Sequence, residues 1–135
     1  ARELGCIPSE HFTAIEQLCH VHDIEVEGYQ ERIRRTLDEA HPLLPSIDSE
    51  PLAIERRYGD ADADAVLHAF RDARARTVET IARLDDAQLA RTAEFEGYGP
   101  LTLRALVHYL CSHDQQHLAG LQWLMGKIEA ERVVV

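Results

Sequence analysis

The stretch LVHYLCSHDQQHLAGLQWL, residues 106–124, decides the fold and holds the most informative side chains of the chain. Its apolar residues recur at helical spacing and predict one continuous helix from about Leu103 to Lys127, capped by Thr102. The predicted inward-facing stripe of this helix consists of Leu106, Leu110, Leu121, Leu124 and Ile128. The segment therefore predicts a long amphipathic helix that packs against other helices.

His113 and His117 lie in the gap of this apolar stripe, between Leu110 and Leu121. A spacing of four residues puts both imidazoles on one helical face, one turn apart, so both should point into the interior. Neutral imidazole is a good ligand for divalent metals, which makes a metal site one interpretation of the pair. A pair of hydrogen-bonded core histidines, or two rings at a protein interface, fits the spacing equally well.

Length and composition predict a single soluble globular domain over residues 1–135. The chain is 45% hydrophobic and 28% charged, and its formal net charge is −10. Nucleic-acid binding needs clustered Lys and Arg, which this acidic chain lacks, so we expect no nucleic-acid partner. No apolar run approaches the length of a membrane span and no signal peptide is recognisable, so we expect no membrane partner and a cytoplasmic location.

The chain has three cysteines, Cys6, Cys19 and Cys111, and no CxxC pair. This odd number excludes a disulfide framework and suits a reducing compartment. Cys19 and Cys111 fall within helical patterns, and we expect both to be small core residues rather than nucleophiles.

Two further long helices and two connections complete the predicted architecture. The first helix should run from about Glu10 to Glu39 with Ser9 as N-cap, and the second from about Asp62 to Leu84. Between them, His41 to Gly59 is a proline-rich crossover with one short helix over Leu52–Tyr58. A second connection, Asp85 to Pro100, contains a glycine-rich turn. Antiparallel helices joined by one long crossover predict an all-α helical bundle, in which metal sites form from facing helices. The predicted stripe of the first helix is Phe12, Ile15, Cys19, Val26, Ile33 and Leu37.

A metal site needs at least a third ligand, and the first helix offers His20 and His22. These two side chains point about 160° apart on a helix, so only one can face a given point. His22 lies on the apolar stripe, whereas His20 lies beside it among the acids Glu16 and Asp23. Geometry alone leaves a mild preference for His22.

The chain resembles the DinB/YfiT-like family of metal-binding four-helix bundles. The resemblance rests on the pattern Glu16-x-x-x-His20-x-x-Asp23 in one helix and His113-Asp114-x-x-His117 in the last. It extends from Phe12 over nearly the whole chain, including the proline-rich crossover and the Gly-Pro-Leu-Thr-Leu entry to the last helix. The two helices together form a moderately specific pattern, whereas HxxxH alone is weak.

The resemblance implies one divalent ion bound by His20, His113 and His117, with water completing its coordination. Because the match includes the neighbouring acids, it favours His20 over His22. We expect this ion to be zinc, with nickel or iron as alternatives. Members of the family usually carry a further helix before the one with the first histidine, and only eight residues precede Ser9 here. We therefore expect either that this helix is missing from the chain as given or that a homodimer covers the groove left by its absence.

By the same resemblance, the expected function is that of a metal-dependent transferase or isomerase that uses a small-molecule thiol. Glu16 and Asp23 are the candidates for acid–base groups or for carboxylates that orient a ligating imidazole, although both could equally be surface acids. Asp114 follows a ligand directly and points about 100° away from it, so it ranks lower. The alternatives are a non-catalytic or stress-related protein with a structural ion, and a metal-free interaction module.

Overall fold

The structure is a computed structural model and describes residues 12–133. Its helices are α1 Ala14–Asp23, α2 Glu31–Asp38, α3 Ser49–Glu55, α4 Ala63–Ala82, α5 Asp86–Leu89 and α6 Leu103–Glu131. A π-helical segment, Ile24–Gln30, joins α1 to α2, and a 3-10 turn covers Tyr58–Asp60. The strands are β1 Leu43–Leu44, β2 Thr92–Phe95 and β3 Gly99–Thr102. The mostly helical bundle predicted from the sequence is confirmed.

The first predicted helix is present but begins later than expected. Thr13 has extended backbone angles and caps α1 through a capping box with Glu16, so a continuous helix from Glu10 is wrong. Ser9, the predicted cap, lies outside the described residues. The helix is also interrupted, because the π-helical segment replaces regular α-helix over Ile24–Gln30.

The second and third long helices lie close to their predicted bounds. Asp62 caps α4 by accepting hydrogen bonds from two backbone N–H groups of its first turn, and Thr102 caps α6 by accepting one. Helix α6 continues to Glu131, and its last turns extend beyond the core. Ile128 is therefore 51% exposed, and its place in the predicted inward stripe is wrong.

A small sheet, which the sequence pattern did not predict, packs its buried side chains into the apolar core. Its order is β1-β2-β3, with β1 parallel to β2 and β2 antiparallel to β3. In register, Leu44 lies opposite Phe95, and Phe95 lies opposite Gly99. The β2–β3 turn contains Gly97 at φ 84°, in the left-handed region that favours glycine. The predicted short helix over Leu52–Tyr58 appears instead as α3 followed by the 3-10 turn.

The main core lies where the π-helical segment, α2 and α6 meet the sheet. Its fully buried members include Ile24, Tyr29, Ile33, Leu44, Phe95, Leu103 and Leu106. A second apolar cluster joins Phe12 and Cys19 to Ala53 and Tyr58. Cys19 is thus a core residue as predicted, whereas Cys111 is exposed on α6 and that prediction is wrong. Along residues 12–133, no helix combines the length and apolar character that crossing a bilayer requires.

Candidate metal centre

Three histidines from two helices converge in the interior of the bundle. His20 lies in the last turn of α1, and His113 and His117 lie one turn apart on α6. The Nε2 atom of His113 is 3.2 Å from Nε2 of His20 and 3.2 Å from Nε2 of His117. Each of the three side chains is at most 4% exposed. The structure thus brings together the three residues that the resemblance implied as ligands.

Hydrogen bonding alone does not satisfy this cluster. A neutral imidazole nitrogen carries either one hydrogen or one lone pair, so it can make one good hydrogen bond, as donor or as acceptor. His113 Nε2 faces two other ring nitrogens at the same distance, and only one of these contacts can be a hydrogen bond. A cation between the nitrogens would instead use all three lone pairs. The arrangement therefore favours a metal site over a pair of hydrogen-bonded core histidines.

The spacing of the nitrogens fits a small divalent ion. All three candidate ligand atoms lie within 4.8 Å of one another. Two nitrogens bound to tetrahedral zinc at about 2.05 Å are about 3.3 Å apart, and the separations of His113 Nε2 from the other two Nε2 atoms, 3.2 Å each, are close to that value. Three neutral imidazoles leave one position of a tetrahedral ion for water or substrate. His20, His113 and His117 thus fit the divalent ion that the resemblance implies.

Burial keeps these imidazoles in the form that binds metal. Burial and then the neighbouring His117 lower the pKa of His20 to about 3, and burial and then His117 lower the pKa of His113 to about 2. Burial also lowers the pKa of His117 to about 4. All three rings are therefore neutral near pH 7, with lone pairs available to a cation.

Gln17 orients one of the rings, and sequence reasoning did not identify it. Its side chain is fully buried on α1, and its Oε1 lies 3.4 Å from Nδ1 of His117. Its Nε2 donates a hydrogen bond to the carbonyl of Phe12 at 3.4 Å, which leaves Oε1 as the atom that faces the imidazole. With Nδ1 donating to this oxygen, Nε2 of His117 carries the lone pair. The only signal in the sequence was the position of Gln17, one turn before His20.

The structure places the other candidates of the first helix away from the three nitrogens. His22 is half-buried, and its Nδ1 lies 3.2 Å from the carboxylate of Asp23. Asp23 also accepts a short hydrogen bond from the hydroxyl of Tyr58 and pairs with Arg56 at 2.8 Å. Glu16 accepts a hydrogen bond from the backbone N–H of Thr13 in the capping box. Catalytic roles for Glu16 and Asp23 remain predictions.

A partly buried ion-pair network lies beside the cluster and connects three helical segments. Arg74 of α4 makes two bonds to Glu25 in the π-helical segment, at 2.8 and 2.9 Å, and two to Asp114 of α6, each at 2.8 Å. The Glu25 side chain is 1% exposed. Asp114, ranked low from the sequence, thus follows the candidate ligand His113 and is held by Arg74. The sequence pattern did not identify Arg74 as a partner of Asp114.

A cleft adjoins the histidine cluster. It has a volume of about 360 Å³, and His117, Gln17, Arg74 and Asp114 form its polar wall. The rest of its wall is apolar and comes from α1, α4 and α6: Leu18, Val21, Leu67, Phe70, Leu118 and Leu121. His117, one of the three candidate ligands, therefore also lines an open cavity.

Comparisons with known proteins agree with this architecture. No curated protein sequence matches the chain. Among solved structures it is similar to YfiT from Bacillus subtilis, which is described as a probable metal-dependent hydrolase with an unusual four-helix bundle topology. The TM-score is 0.74 at 21% identity, over 85% of this chain and 66% of YfiT, so the likeness shows the fold. The sequence profile of the DinB superfamily matches residues 2–121. The chain therefore belongs to the DinB superfamily.

Proposed function

We propose that this protein is a metal-dependent enzyme of the thiol transferase or isomerase kind. His20, His113 and His117 would hold one divalent ion, with zinc the expected metal and nickel or iron the alternatives. The observation that carries the proposal is the contact of His113 Nε2 with two ring nitrogens, each at 3.2 Å, which a shared cation satisfies and hydrogen bonding does not. An ion held by three neutral imidazoles lowers the pKa of a water or a thiol at its remaining position.

The residues around the cluster support activation of an external thiol. Cys19 Sγ lies 3.8 Å from the carbonyl of Tyr58, in the apolar cluster with Phe12, and burial raises the pKa of its thiol. A raised pKa disfavours the nucleophilic thiolate of Cys19. Cys111 is exposed on α6 and does not belong to the histidine cluster. Within residues 12–133, no carboxylate joins the three histidines. A small thiol that loses its proton on binding needs neither a protein cysteine nor an adjacent carboxylate base.

Two other functions use the same residues. Hydrolysis is supported by the description of YfiT as a probable metal-dependent hydrolase. A non-catalytic protein with a structural ion is supported by the deep burial of all three histidines, each at most 4% exposed.

Cobalt(II) substitution separates these functions. We expect one equivalent of a small thiol, such as cysteine, to produce a sulfur-to-cobalt charge-transfer band in the near ultraviolet. A variant with Cys6, Cys19 and Cys111 changed to Ser should keep the band, because the sulfur comes from the added thiol. His117→Ala should lose it together with the metal.

Three results would contradict the proposal. A band that is present without added thiol and absent in the triple Cys→Ser variant would assign the sulfur to the protein. No band, combined with ester hydrolysis that exceeds that of free cobalt, would favour the hydrolase. No band and no hydrolysis would favour the structural ion.

A further inference from the structure

The cleft beside the histidine cluster has the shape and chemistry of a binding site for an apolar group. Its volume of about 360 Å³ lies within the range of small-molecule sites. The apolar wall is continuous across three helices and ends at a rim, where Leu67 is 37% and Leu118 is 61% exposed. Phe70 and Leu121 lie deeper and are half-buried.

The cleft and the metal centre share His117. Its ring lines the cleft, and its Nε2 lies 3.2 Å from the central nitrogen of His113. Gln17 lines the same wall and contacts Nδ1 of this ring. A molecule whose reacting group binds at the centre can therefore extend its remaining atoms along His117 into the cleft.

The charges in the cleft disfavour an anionic group. Arg74 is the only Lys or Arg side chain among its lining residues. Its guanidinium is already bonded to two carboxylates, those of Glu25 and Asp114. Of these three side chains only Arg74 and Asp114 line the cleft, and their charges cancel. An incoming carboxylate or phosphate would therefore find no free donor pair and would lose its hydration against an otherwise apolar wall.

We propose that the cleft binds an uncharged, apolar arm of the substrate whose reacting group is held at the metal centre. This assignment rests on the proposed function, because it uses the open position of the ion. The substrate class is thus a small molecule with one metal-binding end and an aliphatic or aromatic tail. Burial of the tail against Leu18, Val21, Phe70 and Leu121 contributes in proportion to its apolar area.

A series of alkyl hydroxamates tests the assignment on the zinc-loaded full chain. The hydroxamate end binds zinc, and the alkyl tail lengthens from acetohydroxamate to hexanohydroxamate. Each added methylene should tighten Kd, measured by calorimetry, by about fourfold, because burial of one CH₂ contributes about 0.8 kcal/mol. Succinic monohydroxamate, whose tail ends in a carboxylate, should bind more weakly than butyrohydroxamate, which has the same number of carbons.

Leu67→Asp and Leu118→Asp place a carboxylate at the rim, where both side chains are exposed enough for the fold to tolerate it. Each should remove most of the dependence on chain length, which is measured as the ratio of the acetohydroxamate Kd to the hexanohydroxamate Kd within the same variant. Val78→Asp is the matched control, since Val78 is 56% exposed on α4 and outside the cleft. It should leave the whole series unchanged.

The possible results separate this assignment from the proposed function. If acetohydroxamate binds but Kd stays the same along the alkyl series, the assignment of the cleft is wrong. The open position of the metal would still be supported by that result. If Leu118→Asp also converted a dimer into a monomer in that case, the cleft would be an interface between copies of the chain. If no hydroxamate binds the zinc-loaded protein, the ion has no open coordination position. Both the proposed function and the assignment of the cleft would then be wrong.

Discussion

At the residue scale, we expect Gln17 to set the tautomer of His117. Its Oε1 faces Nδ1 of the ring at 3.4 Å in a fully buried site. Gln17→Leu keeps a side chain of similar volume but removes the acceptor Oε1. Nδ1 of His117 then loses its hydrogen-bond partner, so the tautomer with a free lone pair on Nε2 is no longer favoured. We expect the Kd for zinc to rise about 10- to 100-fold, measured by competition with a chromophoric chelator.

Gln115→Leu is the control for this prediction, because Gln115 is exposed on α6 between the two candidate ligands His113 and His117. Its Kd for zinc should equal that of wild type. A Gln17→Leu protein that binds zinc within twofold of wild type would show that the glutamine only fills space.

The spacing of His113 and His117 was enough to predict two inward-facing imidazoles, but not the third ligand. A stripe projected back along one continuous α-helix from Ile33 and Val26 reaches His22. The π-helical segment Ile24–Gln30 breaks that projection, because its wider turns rotate the residues before it relative to those after it. The buried face of α1 therefore passes through His20, which only the resemblance had favoured.

At the scale of elements, Arg74 holds α4 against the π-helical segment and α6. Arg74→Met would leave the carboxylate of Glu25 buried without its partner. Removing one partner of a buried ion pair typically costs about 3–5 kcal/mol, and we expect a fall of about 3 kcal/mol in the free energy of unfolding, measured with urea. The double change Glu25→Gln with Arg74→Met should recover part of this loss.

Arg83→Met is the comparison for Arg74→Met, because Arg83, which directly follows α4, forms an exposed pair with Glu79 of that helix. It should cost less than about 1 kcal/mol. Equal costs for Arg74→Met and Arg83→Met would contradict the role assigned to Arg74.

Long, strongly periodic helices were predictable from the sequence, and short or irregular elements were not. Asp62 and Thr102 combine a capping side chain with an apolar repeat, so the starts of α4 and α6 were predicted to within a residue. The strands contain two to four residues each, too few for an alternating pattern to show. Their pairing depends on contacts between distant segments, such as Leu44 with Phe95.

At the scale of the whole molecule, the metal-free protein should lose stability as the pH falls below about 6.5. Burial lowers the folded-state pKa values of His20, His113 and His117 to about 3, 2 and 4, whereas each is about 6.5 in the unfolded chain. Between these values the unfolded chain binds more protons, so the free energy of unfolding decreases as the pH falls. The stabilising contribution of the neutral rings is complete above pH 6.5.

His117→Gln removes one of these three titrations. In urea unfolding with a chelator present, the slope between pH 6 and pH 5 should become shallower than in wild type by up to about 1.4 kcal/mol per pH unit. His68→Gln, on the exposed face of α4, should keep the wild-type slope. Identical slopes for wild type and His117→Gln would contradict the neutral, buried state of this ring.

Association of two copies of the chain into a homodimer is a further prediction for the whole molecule. Along the distal half of α6, Trp123, Met125 and Ile128 are each more than 50% exposed, which is a large apolar surface for one helix. We expect sedimentation at micromolar concentration to give about twice the chain mass of 15.3 kDa. A monomer at that concentration would contradict the prediction.

Metal content tests the central claim most directly. Elemental analysis of untagged protein should find one divalent ion per chain in wild type and in His22→Ala and His108→Ala, whose side chains lie outside the cluster. His20→Ala, His113→Ala and His117→Ala should each retain less than a tenth of that amount while keeping the helical circular dichroism of wild type. A metal-free wild type after supply of zinc, or loss of metal in His22→Ala with retention in His20→Ala, would contradict the account.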